Sequence, residues 1–311
     1  MDVLPSELLH NMRNQDLTLP NRCALLFVPI CLLAACSERY DSPIPETDVS
    51  SDHGTSTVRL AAWNIRIFSD NSRDDRELQL ISNVLIDYDF IAIIELRDEE
   101  VLKRTENVLK LMGRDYDYLV SRPVGGKVKE RYAFLFDQKL VDVLDDGMVF
   151  PDPNDAFLRE PYSASFRAGQ FDFTAITAHV IWGDSVPPRQ REVGELANVY
   201  QAVQAMNGAE QDVILLGDFN RNPDDQFAYR PLMSIPGMTH LFRLPEKSHI
   251  KDSSLYDNIF FQSSYVTEYT GSSGIDRFDE TDFGNDDVTA SLAVSDHRPV
   301  WAEFRIDSDD D

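Results

Sequence analysis

The stretch VILLGDFN, residues 213–220, decides the fold. Four apolar residues and a glycine in a row, with β-branched members at Val213 and Ile214, suit a strand covered on both faces, as the central strands of α/β proteins are. The run stops at Asp218 and Asn220, so a carboxylate and an amide stand where the strand leaves its sheet. IAIIEL, residues 91–96, ends in the same manner on Glu95. Just before 213, Val193, Leu196, Ala197, Tyr200 and Val203 recur at helical spacing within 191–206, so an amphipathic helix precedes the strand.

Working outward, Val58, Leu60 and Ala62 alternate into Asn64, which is strand period. Leu78, Ile81, Val84 and Leu85 mark one helix, and Val101, Leu102, Thr105, Val108, Leu109 and Met112 another. Further strands are predicted at 132–136, 171–178, YDNIFF (256–261) and PVWAEFRI (299–306). No second linker interrupts residues 58–306, which predicts one layered α/β domain of roughly 250 residues.

Polar residues recur where these strands emerge. Asn64 follows the first, Glu95 closes IAII, His179 closes FTAITA, Asp218 and Asn220 close VILLG, and Asp296 with His297 precede PVWAEF. Taken singly these are a turn amide, a surface carboxylate or a satisfied buried histidine. Their coincidence at the ends of five strands points instead to a ligand site, because α/β sheets bind there and emerging polar groups need partners. Glu95, Asp218, Asp296 and the carbonyl of Asn64 are hard oxygen donors suited to magnesium, manganese or calcium. Two histidines can divide two proton transfers. Zinc is less apt, since no HExxH and no paired cysteines occur, and the absence of GxSxG weighs against a serine hydrolase.

In order, WNIR (63–66), ELRD (95–98), KERYAFLF (129–136), REP (159–161), TAHV (177–180), GDFN (217–220), YDNI (256–259) and SDHRPV (295–300) resemble the endonuclease/exonuclease/phosphatase superfamily, and specifically its pancreatic-type deoxyribonuclease branch. The resemblance implies a four-layer α/β sandwich, two packed mixed sheets flanked by helices. It implies Glu95, Asn64 and Asp296 as the metal site, and two carboxylate–histidine pairs, Glu130 with His179 and Asp257 with His297. His297 would activate water and His179 would serve the leaving 3' oxygen, with the exchange of these roles as the alternative. Asp218 and Asn220 would hold or polarise the phosphate and water, and Arg97, Arg131 and Arg159 would contact DNA. The expected reaction is in-line attack on a phosphodiester with Mg2+ or Mn2+, Ca2+ being a further expected ion. Departures weaken the duplex contacts: Val128 replaces a groove-packing tyrosine and Asn258 an arginine, while RNPDDQ (221–226) lacks the family's disulfide and is either a calcium loop or merely soluble. PPRQR (187–191) either supplies positive charge or starts a helix. The alternative substrate is a phospholipid, sphingomyelin or small phosphodiester, for which Ile181 and Trp182 are the apolar candidates beside the site.

The first forty residues predict that this domain is exported. CALLFVPICLLAA, residues 23–35, is too short to span a bilayer, follows Arg13 and Arg22, and reads as an export signal. Its end, Leu33-Ala34-Ala35-Cys36, resembles a bacterial lipobox, which implies a signal peptide over 1–35, a diacylated Cys36 and membrane attachment through it at the cell envelope. Residues 37–57 are polar and proline-containing, so 36–57 is the lipidated cysteine with a tether, and 307–311 is an acidic tail. All three cysteines lie before residue 37, leaving the domain no disulfide. Acidic residues outnumber basic ones 54 to 29, a charge of -25 that repels nucleic acid at long range; bound cations and local arginines have to reverse that field in the groove. A monomer is assumed.

Overall fold

Apolar residues occupy both parities of β1 (Thr57–Phe68): Val58, Leu60 and Ala62 face one way, Ala61, Trp63 and Ile65 the other, and all six are buried. The alternation visible at 58–62 is thus half of a doubly covered strand, and the second half is hidden in an alanine and a tryptophan. The computed structural model describes residues 56–208 and 210–309. The signal peptide, Cys36 and all but the last residues of the tether lie outside these. Among the described residues, no helix is long and apolar enough to cross a membrane.

After β1 come α1 (Asp75–Leu85), β2 (Phe90–Leu96), α2 (Glu100–Leu111), β3 (Tyr116–Val120), β4 (Arg131–Asp137), β5 (Val141–Val143), β6 (Met148–Val149), β7 (Tyr162–Ala168) and β8 (Phe171–His179). The chain continues through α3 (Val186–Gln204), β9 (Val213–Asp218), α4 (Gln226–Met233), β10 (Met238–His240), β11 (Asp257–Gln262), β12 (Tyr269–Ile275), α5 (Phe278–Thr281), α6 (Asp287–Ala293) and β13 (Val300–Arg305). One sheet has the order β12-β13-β1-β2-β4-β3; the other runs β10-β11-β9-β8-β7-β5, with β6 on β7. Both are mixed, since β1 pairs β2 in parallel and β8 pairs β9 in parallel among otherwise antiparallel neighbours.

Three apolar clusters make four layers. The inner one interleaves Leu60, Phe90 and Phe134 of the first sheet with Phe166, Phe173 and Leu216 of the second. Phe90 meets Phe166 edge-on at 4.8 Å between ring centres. Another cluster packs Trp63, Ile91 and Ile93 under α1 and α2, and the third packs Ile176, Leu215 and Phe260 under α3 and α4. The expected α/β sandwich is therefore the fold.

α3 begins five residues before the predicted 191, because Pro187 and Pro188 occupy its first turn, where a missing N–H costs nothing. Of the two readings of PPRQR the helix start holds, and Arg189 turns inward to donate to the carbonyls of Ser185 and Asn220. In the RNPDDQ loop, Asp225 caps α4 by accepting from the backbone N–H of Phe227 and Ala228, and it also pairs with Arg221 and Gln190. Its carboxylate is committed to that cap.

Candidate active site

The β8–β9 pairing sets the site. Ala178 lies opposite Gly217 and His179 opposite Asp218, so an imidazole and a carboxylate leave the second sheet side by side. Gly217 permits this approach: a Cβ there would sit 2.3 Å from the carbonyl oxygen of Ala178. From the first sheet, Asn64 in β1 and Glu95 in β2 arrive at the same place, and the Asn64 amide donates to Asp218 at 3.0 Å and to Glu95 at 3.3 Å. Glu95 at the end of β2 holds φ +64°, a left-handed conformation unusual for glutamate, and Asn220 just after β9 holds φ +48°, which asparagine adopts readily. The other Glu95 oxygen accepts from the backbone N–H of Ile67 at 3.0 Å.

Two histidines converge on this frame. His179 Nδ1 meets Glu130 at 2.9 Å, and His297 Nδ1 meets Asp257 at 2.8 Å. Each carboxylate comes from the sheet that does not carry its histidine: Glu130 precedes β4 and Asp257 opens β11, whereas His179 ends β8 and His297 precedes β13. With both Nδ1 atoms engaged, the Nε2 atoms turn to a common point, 3.6 Å and 3.8 Å from the same Asp218 oxygen. The two imidazoles, Glu130, Asp257, Asp218, Asn64 and Asn220 are all buried.

Burial opposes every charge in this group, and the neighbours decide the outcome. Despite burial, the hydrogen bond and charge of His179, with Arg159 and Arg97, draw the Glu130 carboxyl down to about 2. Asp218 is likewise lowered against its burial, by His297 and His179. Burial pushes Asp257 up, and His297 is raised well above its ordinary value because Asp257 and Asp218 outweigh its desolvation.

All twelve residues singled out in the sequence can be located. Asn64, Glu95, Arg97, His179, Asp218, Asn220, Asp296 and His297 line one cleft of about 770 Å³. Glu130 and Asp257 lie behind the histidines. Arg97 spans Glu95 (3.6 Å) and Glu130 (3.3 Å), while Asp98 caps α2 instead of pairing with it. Arg159 is committed to Glu130 at 2.8 Å and to the His179 carbonyl. Arg131 is not among the cleft-lining residues; it donates to the Ser121 carbonyl and approaches Glu99 at 3.7 Å. Val128 is exposed, and Asn258 is buried, bridging Phe242 N–H and C=O to β11.

Sequence reasoning missed several contributors. Ser295 Oγ donates to the Asn64 carbonyl at 2.5 Å and accepts from His297 N–H, and Trp63 Nε1 donates to the His297 carbonyl, so the His297 loop is tied to β1. Arg298, almost wholly buried, fastens the same loop through a two-pronged pair with Asp279. His249 packs edge-on to His297, and Arg66 also lines the cleft. Ser295 and Arg298 stand inside SDHRPV and were legible there, whereas His249 lies in no motif.

The donors fit a divalent ion. Asn64 Oδ1 and Asp257 Oδ1 are buried with no hydrogen-bond partner among the described residues, the condition a cation relieves. Asp218, Asp257 and His297 also present ligand atoms all within 4.8 Å of one another, a group able to hold such an ion. The sequence points to Glu95, Asn64 and Asp296 as the metal site, to Asp218 as a hard donor that holds or polarises phosphate and water, and to Asp257 and His297 as a carboxylate–histidine pair; no hydrogen bond or ion pair among the described residues fixes the Asp296 carboxylate.

The chain is similar to known proteins in sequence and in fold. A deoxyribonuclease from Thioalkalivibrio sp. (strain K90mix) is 30% identical over 258 residues, 79% of this chain and 71% of that protein. Deoxyribonuclease-1 of Canis lupus familiaris is 30% identical over 268 residues, covering 79% of this chain and 91% of its own. The endonuclease/exonuclease/phosphatase solved from Bacteroides vulgatus superposes with a TM-score of 0.54 at 17% identity, over 80% of this chain and 98% of that one, which is a likeness of fold. The model of the Endonuclease/Exonuclease/phosphatase family matches residues 61–297, from the strand bearing Asn64 to His297 itself. With that span and a buried Asp218, Asp257 and His297 cluster able to hold a metal ion, this chain belongs to the Endonuclease/Exonuclease/phosphatase family and is a divalent-metal-dependent phosphodiester hydrolase.

Proposed function

We propose that the protein is a weakly sequence-selective DNA endonuclease, exported and held at the cell envelope by a lipid on Cys36. One observation carries the chemistry: two imidazoles, each oriented by a buried carboxylate, aim their Nε2 atoms at one Asp218 oxygen from 3.6 and 3.8 Å. A hydrolysis that must remove a proton from water and deliver one to a leaving oxygen needs two such groups on one reaction axis.

His297, made more basic by Asp257 and Asp218, takes the proton from the attacking water. His179, fixed by Glu130, protonates the departing 3' oxygen. Asp218 orients the water through the oxygen the histidines share, and its other oxygen is held by the Asn220 N–H at 2.9 Å. Asn64, Glu95 and Asp296, with Asp218 nearby, would hold Mg2+ or Mn2+, which supplies charge neutralisation for the phosphate; Ca2+ is a further candidate ion. Arg66 and Arg97 are the guanidinium groups lining the cleft, and they offset a net charge of -25 where a phosphate backbone has to lie. Two deoxyribonucleases among the relatives support DNA over the alternative of a phospholipid or small phosphodiester.

The test is supercoiled plasmid incubated with the purified protein in magnesium, magnesium plus calcium, manganese or EDTA, beside His297→Ala. Metal-dependent nicking that the variant loses is expected. Absence of nicking in every ion, with hydrolysis of sphingomyelin or a small diester, would replace the DNA reading by the alternative one.

A further inference from the structure

Trp182 is 67% exposed at the cleft that holds the two histidines. It stands three residues after His179, on the loop between β8 and α3. The other two tryptophans are accounted for: Trp63 is fully buried, and Trp301 lies beneath the Arg59 guanidinium at 4.5 Å. Its neighbour Ile181 turns inward and packs against the cluster under α3, so the indole stands alone. Across the cleft the first sheet contributes a second exposed apolar side chain, Ile67, 44% accessible and held at φ +47° beside Glu95.

We infer that Trp182 is a platform on which one nucleobase of the bound strand stacks, next to the phosphodiester being cut. This rests on the proposed nuclease reading and adds to it the residue that grips the base. A flat ring open to solvent beside a phosphate-cleaving centre suits a base, every one of which offers a π-face, and such stacking tolerates any sequence. A lipid surface would need a contiguous apolar patch. Here the indole is followed by exposed Asp184 and Ser185, and apart from Trp182 and Ile67 the cleft is lined by residues with polar side chains, Asn64, Arg66, Asn220 and His249 among them. An acidic residue beside the ring also disfavours an anionic bilayer.

The experiment compares wild type, Trp182→Ala and Trp182→Phe on a short single-stranded oligonucleotide and on a strand of the same length built of tetrahydrofuran abasic residues, which keeps the phosphodiesters but has no base to seat. Stacking of this kind is worth about 5- to 150-fold. Trp182→Ala is expected to lower the ratio of oligonucleotide to abasic-strand kcat/KM by about fivefold or more, mainly through KM, and Trp182→Phe to restore most of it. In a His297→Ala background, the oligonucleotide should quench the indole emission, and adding Trp182→Ala should remove that quench. An unchanged ratio, or no quench, overturns the platform. A loss confined to binding of phosphatidylcholine and sphingomyelin vesicles also overturns it, in favour of a lipid contact. Failure of the wild type on any nucleic acid is a different result and removes the nuclease reading itself.

Discussion

Replacing Glu130 by glutamine removes one negative charge from a place where an imidazole and two guanidinium groups meet. His179 Nδ1 lies at 2.9 Å, Arg159 Nε at 2.8 Å and Arg97 at 3.3 Å, and the carboxylate side chain is only 5% exposed. A carboxyl held at about 2 in the folded chain against 4.5 as its ordinary value corresponds to about 3 kcal/mol of stabilisation, at about 1.36 kcal/mol for each pH unit. Because the folded value is depressed, that contribution is complete above pH 4.5 and is lost as pH falls towards 2. Glutamine keeps one carbonyl oxygen to accept from either His179 or Arg159 but not both charges, so Glu130→Gln should cost about 3–5 kcal/mol at pH 7. The gap between variant and wild type should then shrink by about 2 kcal/mol between pH 7 and pH 3, the rest of the contribution being lost only below pH 3. Urea unfolding in EDTA, followed by circular dichroism at steps from pH 7 to pH 3, measures it. A gap that stays constant across that range would refute the shared-charge account. The variant should also lose about 100-fold or more in kcat, since His179 is no longer fixed in one tautomer.

Histidine titration by NMR in the ion-free protein should find His297 still protonated above its ordinary range and His249, lowered by burial and by His297, deprotonated below it; the reverse order would show that Asp257 and Asp218 do not govern His297. Asn64→Ala removes the orphaned carbonyl and the Glu95 amide contact, and calorimetry should record about 10- to 100-fold weaker Mn2+ binding. Arg97→Ala should reduce plasmid cleavage more than hydrolysis of bis(p-nitrophenyl) phosphate, and equal losses would confine Arg97 to bracing Glu95 and Glu130. In a bacterial host, Cys36→Ala should abolish palmitate labelling and move the protein from the membrane fraction to the soluble one; labelling that persists would sink the lipid anchor.

Much of the fold was legible because its central strands are apolar on both faces. IAIIEL and VILLGDFN announce themselves, and α1 shows its stripe at Leu78, Ile81 and Leu85. The peripheral strands gave weaker signals. β7 reads YSASFRA, with Ser163 at a buried position, β12 reads YTGSSGI with no fully buried residue, and β5, β6 and β10 have three residues or fewer. Such strands are defined by their neighbours rather than by their own pattern. α4 hides behind Pro231 and its Asp225 cap. At the site, strand-end residues were found by position, but the engagement of Arg131 and Arg159 with Ser121, Glu99 and Glu130 depends on which loops fold against them, and no spacing in the chain encodes that. His249 reaches His297 through a single antiparallel bridge between two loops, a contact without a local sequence signature.

Each carboxylate–histidine pair joins one sheet to the other, and this makes hydrolysis a late event in the life of the chain. A half-built molecule with either sheet alone would contain histidines with the wrong neighbours or none, and it would be inert. Sliding one sheet over the other by a single residue would break both pairs at once, whereas loosening an outer helix need break neither. Turnover is therefore a gauge of how well the inner aromatic layer of Phe90, Phe134, Phe166 and Phe173 is seated. A substitution there, far from any phosphate, should be felt first as lost rate and only later as lost structure.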